Sequence, residues 1–362
     1  MVTNDYQYAL SLYREDWTAL GQVPAEVDWE PAAECARFEA IRAGKIRPGG
    51  STVAVTVEPV WHASSGSPCV EGLRLSLDET DGGHAESVLT TAYFTAMARA
   101  ASARFVERGD LKPGELFHYI VSAQPRSDCG DAETGAAFTV ESVTPALPVS
   151  ASSLEAFMQR AVSFVQANGS HMPVFVPRSV LEETAELSRQ AGSMETGGAL
   201  LGLLHRDESG PELFLEVTAQ VPATHTRSEA TRLTYTPDTW AGFDDAIALR
   251  GREELMVGWW HSHSFLKQQE CSQCPKRAGG ACNVVPSFMS AEDCHLHRVC
   301  FPRAFSVALV VGDSPCSGLS WTLFGWHAGV ISARGFHILS APGREAGKEA
   351  IPLVGGTPDA TD

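Results

Sequence analysis

The sequence predicts an α/β protein of two domains, a mixed-sheet C-terminal domain preceded by a smaller α/β domain. Three observations predict it. The 362 residues exceed what one ordinary domain uses. With 44% hydrophobic and 20% charged residues, the chain has the composition of a globular protein able to bury a core. Strand-like alternation and helix-like spacing succeed one another along the chain, interrupted at 144–153 by the Pro/Ser/Ala-rich stretch TPALPVSASS.

Residues 1–150 form the smaller domain, whose role the sequence does not assign. Helical patterns at 9–20 and 32–43 lead to strand-like runs at 52–61 and 70–77. A long helix is expected over 86–108, where Leu89, Tyr93, Met97 and Phe105 recur at helical spacing before Gly109 stops it. That aromatic stripe reads as core. Strands at 116–123 and 137–143 complete the unit, in which His62, His84 and His118 stand isolated.

Residues 151–171 read as linker and bridging helix, the helix running over 154–167. Within 172–340 the order is a strand at 174–176, a helix at 178–190, strands at 197–204, 213–221 and 231–235, a helix at 237–250 and a strand at 255–260. After an irregular insert come strands at 306–311, 320–326 and 329–339. The Gly/Pro-rich tail, 341–362, is expected to be disordered.

A formal net charge of −17 argues against nucleic acid or an anionic membrane as partner, since either needs a basic face. The N-terminal MVTNDYQYALSLYREDW lacks a basic segment leading into an apolar run, and no stretch reaches the ~18 apolar residues of a membrane span. A cytoplasmic location is therefore expected, and the nine cysteines are expected as thiols or metal ligands.

Chemistry concentrates in the second domain. GWWHSHS sets His261 and His263 one residue apart at the end of a strand, and alternation puts both imidazoles on one face, within reach of one ion. Ser290-Ala-Glu-Asp293 adds a hydroxyl and a carboxylate downstream, and Glu195 opens ETGGALLGLL upstream, where glycines allow close backbone approach. Two histidines and one carboxylate leave a fourth position on zinc open, the catalytic arrangement, and a second carboxylate nearby can act as general base. Ser290 is also positioned to cap a helix starting at Ala291.

Glu195, His261-x-His263 and Ser290-x-x-Asp293, in that order, resemble the signature of the JAMM (MPN+, JAB) zinc metallopeptidases. The flanks ETGGALLG, VGWWHSH and FGWHAGVISARGFHIL fit as well, and the resemblance covers 172–339, about half of the chain. It implies a cytidine-deaminase-like mixed-sheet fold with one catalytic zinc held by His261, His263 and Asp293. Glu195 would relay the proton of the zinc-bound water to the leaving amine, and Ser290 would donate to the oxyanion. Two features depart from the family pattern. Ser264 stands where many members have proline, and the spacer 264–289 is long, as an insertion would make it.

That insertion contains Cys271-Ser-Gln-Cys274 and Cys282, and Cys294-His295-Leu-His297 follows Asp293. A CxxC knuckle with further soft ligands reads as a second, structural zinc site in 264–300. Endosomal members of the family place a zinc-binding histidine two residues past the ligating Asp, which is His295 here; Cys294 and Cys300 compete for the fourth place.

The function implied is an isopeptidase or peptidase cutting after the Gly-Gly tail of a ubiquitin-like protein, as a deubiquitinase or in precursor processing. Similar proteins stand in bacterial ubiquitin-like conjugation systems, so E1- and E2-like enzymes are further expected partners. A tail-clamping loop would fall at 222–234, where His225 and Arg227 read as solvated. Two rivals remain: a non-catalytic MPN-type scaffold, which usually lacks zinc ligands, and another zinc hydrolase on the same fold.

Overall fold

The computed structural model describes residues 2–49, 53–62, 69–80, 82–126, 146–164, 171–192, 194–224, 227–228, 233–263, 287–314 and 318–340. Helices and strands of a mixed α/β protein divide into two compact units, 1–147 with 328–330, and 148–327 with 331–362.

The first unit opens on strands rather than on the helix expected at 9–20: β1 (Val2–Asn4), β2 (Tyr6–Arg14) and β3 (Ala19–Ala25). Tyr8, Leu10 and Leu12 are buried and their neighbours are not, the period of two that a sheet with one packed face imposes. α1 (Glu30–Arg42) carries a proline in its first turn, where a missing N–H costs nothing. β4 (Val53–Trp61) and β5 (Val70–Glu79) lie where strands were expected.

The long helix expected at 86–108 starts later. β6 (His84–Thr90) pairs with β5 and buries Ala85 and Leu89, a 3-10 turn spans Thr91–Phe94, and only then does α2 (Thr95–Glu107) begin. With β7 (Phe117–Pro125) the strands form two sheets, β1-β4-β5-β6 and β3-β2-β7. The strand expected at 137–143 and the tail 341–362 lie outside the described residues.

In the second unit, the stretch read as linker and bridging helix contains β8 (Val149–Ser152), the short α3 (Leu154–Gln159) and β9 (Ala161–Phe164). The chain leaves the helix early because β9 pairs with a C-terminal strand, while Phe157 of α3 packs on Phe175, Phe214 and Leu339. Next come β10 (Val174–Pro177), α4 (Arg178–Ala191), β11 (Gly197–Asp207) and β12 (Leu213–Pro222). A minimal pair, β13 (Arg227–Ser228) and β14 (Leu233–Thr234), precedes α5 (Pro237–Arg250). β15 (Leu255–His263), α6 (Ala291–Cys300), β16 (Val307–Ser314) and β17 (Gly318–His327) follow. The last run expected as one strand is two, β18 (Val330–Arg334) and β19 (Phe336–Leu339).

The large sheet has the order β18-β17-β16-β15-β11-β12-β10-β19-β9, with β8 alongside β11. β15 lies inside it, antiparallel to β11 and parallel to β16. Two glycines permit close strand approach: a Cβ on Gly198 of β11 would lie 2.1 Å from the Val221 carbonyl oxygen of β12, and one on Gly258 of β15 would lie 1.9 Å from that of Val307 of β16. α5 buries Phe243 against Ala199 and Leu201, and Trp259 of β15 packs with Phe301, Ala308 and Leu296. Among the described residues no helix is long and apolar enough to cross a membrane.

Candidate metal centre

β15 runs three residues further than the apolar pattern suggests. Its pairing with β16 continues to His263 opposite Gly312, so both histidines belong to the strand and not to a loop. Trp259, His261 and His263 share one face by alternation. Trp259 and His261 stack with ring centroids 4.6 Å apart and planes 12° from parallel, and the two histidine rings lie 4.8 Å apart. Both imidazoles are buried.

Ser262 faces the other way and ties down the segment that carries Glu195. Its Oγ accepts the Thr196 N–H at 3.2 Å, and its own N–H donates to the Thr196 carbonyl at 2.7 Å. β11 itself pairs with β15 up to Gly197 opposite His261, so Glu195 stands just outside the strand end, beside the histidines.

The third candidate ligand comes from α6. Ser290 caps this helix: its Oγ accepts the Asp293 N–H at 3.1 Å, while Asp293 Oδ2 accepts the Ser290 N–H at 2.7 Å. The reciprocal pair aims Asp293 Oδ2 at the strand, 3.4 Å from His261 Nε2 and 3.8 Å from His263 Nε2. The two Nε2 atoms are 3.0 Å apart. Tetrahedral zinc with N and O ligands at about 2.0–2.2 Å requires ligand–ligand separations near 3.3 Å. The three observed edges bracket that value, so the donor set fits a zinc ion. Among the described residues this is the one His/Cys/Asp/Glu group gathered closely enough to hold a metal.

The electrostatics suit the same use. Burial holds the His261 pKa below its ordinary value, leaving the neutral, ligating form. Burial alone would raise Asp293, but hydrogen bonds from His261 and His263 outweigh it and hold the carboxyl well below the usual range. Burial pushes half-buried Glu195 up to about 7; His263 opposes the rise, and the Asp293 and Glu292 carboxylates reinforce it. A carboxylate poised there can take up a proton and return it near neutral pH.

The residues expected to hold a second zinc are described only in part. His295 is exposed on α6, two residues from Asp293 and so on a different face of the helix. Cys294 is half-buried and Cys300 exposed, both as free thiols. Cys271, Cys274 and Cys282 lie outside the described residues, as does His225. The buried histidine of α6 is instead His297, one full turn past Asp293. It and Ser262 escaped the sequence reading, although the i,i+4 spacing from Asp293 and the strand alternation within HSH were the signals for them.

No family model matches the chain, and no curated protein matches it. Among solved structures, a Desulfitobacterium hafniense protein known from its solution structure is 18% identical, with 46% of this chain and 92% of that one covered and a TM-score of 0.31. A Salinibacter ruber protein is 19% identical, with 47% and 93% covered and a TM-score of 0.28. Likenesses this slight carry no argument about fold or function.

Proposed function

We propose that the chain is a JAMM-type, zinc-dependent peptidase that cuts the peptide or isopeptide bond after the Gly-Gly tail of a ubiquitin-like protein. The observation behind this reading is the triangle of His261 Nε2, His263 Nε2 and Asp293 Oδ2, with edges of 3.0, 3.4 and 3.8 Å and Glu195 electrostatically coupled to it. Three protein ligands with an open fourth position mark a catalytic rather than a structural zinc.

His261, His263 and Asp293 hold the ion, which supplies Lewis acidity and an acidified water when bound. Glu195 takes a proton from the attacking water as its oxygen bonds to the carbonyl carbon. It returns that proton to the leaving amine as the C–N bond breaks. Ser290 Oγ accepts its bond from the Asp293 N–H, which leaves the hydroxyl hydrogen to donate to the oxyanion. E1- and E2-like enzymes of a conjugation system, a second zinc involving the 264–300 insert, and a cytoplasmic site of action belong to the same proposal.

The test uses the full chain and fusions of ubiquitin-like proteins in which Gly-Gly precedes a reporter. Cleavage at the glycine carbonyl, stopped by a chelator and restored by zinc, is the expected result. Intact fusions after incubation with protein shown to carry one zinc at this site would overturn the peptidase reading.

A further inference from the structure

Metal-bound histidines ordinarily donate their second ring nitrogen to a carboxylate, carbonyl or water, which fixes the ring. His261 departs from this. Its Nδ1 is buried without a hydrogen-bond partner among the described residues, and its ring is covered by the parallel indole of Trp259. What orients His261 is therefore a stacked ring, and the question moves to what orients Trp259.

The answer lies on α6. Trp259 Nε1 donates to His297 Nδ1 at 3.1 Å, between two buried residues. Since His297 Nδ1 accepts, its hydrogen sits on Nε2, and that nitrogen is itself buried without a partner among the described residues. Burial pushes the His297 pKa down to about 4, so the ring stays neutral and its Nδ1 lone pair stays available. An apolar residue of similar size would pack between Phe301 and Trp326 but would strand the buried Trp259 N–H, so the imidazole serves the indole, and the indole in turn needs a reason to be held.

The spacing supplies the reason. From Trp259 to His261 the strand advances about 6.7 Å. From His297 back to Asp293 the helix advances about 6 Å. Two rungs therefore join β15 and α6 at matching heights, Trp259 with His297 and His261 with Asp293. A slip of α6 by one residue along β15 would break both.

We infer that His297 is a positioning residue of the metal centre: through Trp259 it fixes the His261 ring and sets the register that delivers the Asp293 carboxylate. This inference rests on the metal reading proposed above.

The experiment compares the full-length wild type with His297→Leu, His297→Asn, Trp259→Phe and the double variant Trp259→Phe/His297→Leu. Zinc affinity is measured by competition with a chromophoric chelator, the ligand field by the visible spectrum of bound cobalt, and stability by melting of the metal-free protein. His297→Leu and Trp259→Phe each lower zinc affinity about ten- to a hundredfold, the range for losing an outer partner of a ligand. His297→Asn, whose side-chain oxygen can take the place of Nδ1, restores most of it.

The double variant is the decisive one. Having no orphaned polar group, its metal-free form melts at or above the wild-type temperature, yet it binds zinc as weakly as either single variant and shows an altered cobalt spectrum. Wild-type affinity and spectrum in the double variant would reduce the pair to a packing contact and overturn the inference. A wild-type protein that binds no zinc would instead overturn the metal reading itself. If His297→Leu alone fails to fold, the double variant and His297→Asn still decide the matter.

Discussion

Two groups of histidines lie on the same sheet and have opposite characters. At the far end of β11, His205 has a partner for each ring nitrogen: Ser150 Oγ 2.8 Å from Nδ1 and Glu216 Oε2 3.0 Å from Nε2. Ser150 and His205 are register partners of β8 and β11, so the contact is a cross-strand ladder. Phe157 and Phe214 cover the ring. At the end of β15, by contrast, two buried Nε2 atoms face each other, and Nδ1 of His261 has no partner among the described residues. A Ser–His–Glu series suggests chemistry on paper, yet here it satisfies itself. In the proposed reading a cation completes the β15 pair. What separates a packed histidine from a ligand is the balance of donors and acceptors around it, which residue type alone does not reveal.

The sharpest way to test the contrast is Asp293→Ala. It removes one corner of the triangle and the carboxylate that would neutralise the ion, so bound zinc and hydrolysis should both be lost. Elemental analysis beside a Gly-Gly fusion assay checks this, and full zinc occupancy would show that the third ligand lies elsewhere. Next comes Glu195→Gln, which should cost about 10²–10⁴ in kcat, the usual range for a general acid–base group, while zinc content stays at the wild-type level. Loss of the metal in that variant would make Glu195 a ligand.

Ser290→Ala should lower kcat by about 10²–10³ if its hydroxyl serves the oxyanion. It should also cost about 1 kcal/mol of stability as a lost helix cap. A variant showing only the stability loss would restrict Ser290 to capping. The smallest effect belongs to the other histidine. His205→Phe keeps the aromatic packing and returns Ser150 and the partly exposed Glu216 to water, so it should cost about 1 kcal/mol and leave zinc affinity and turnover unchanged. A collapse of activity in His205→Phe would erase the distinction drawn between the two clusters.

That His261, His263 and Asp293 come together was legible because their geometry is local. HxH on a strand and SxxD at a helix start each fix relative directions within four residues, and the pairing of β11 with β15 then joins Glu195 to the histidines. His295 rests on the family resemblance, and Cys271, Cys274 and Cys282, its expected companions, lie outside the described residues. The burial of His297 is a matter of helix face, since position i+4 from Asp293 points inward, and packing between elements decides it. In the N-terminal unit a confusion of periods turned β2 into a helix, although Tyr8, Leu10 and Leu12 alternate. The aromatic spacing of α2, read backwards past Phe94, hid β6, whose state is set by pairing with β5 that no local window contains. Burial at Trp259 and His297 likewise comes from packing between elements thirty-odd residues apart in the chain, and composition is silent about it.

The reciprocal bonds between Ser290 and Asp293 have a consequence for how such a centre can change over time. The distance of three residues is dictated twice, once by the backbone donors at the start of α6 and once by the place the carboxylate must reach. Lengthening Asp293 to Glu, or moving it by one position, would spoil the turn and the ligand together, so no gradual route leads from one spacing to another. Chain can be added between His263 and the cap at little geometric cost, provided it delivers Ser290 to the same point. The four residues Ser290 to Asp293 thus behave as an indivisible module, and the connection leading to them is where variety can accumulate.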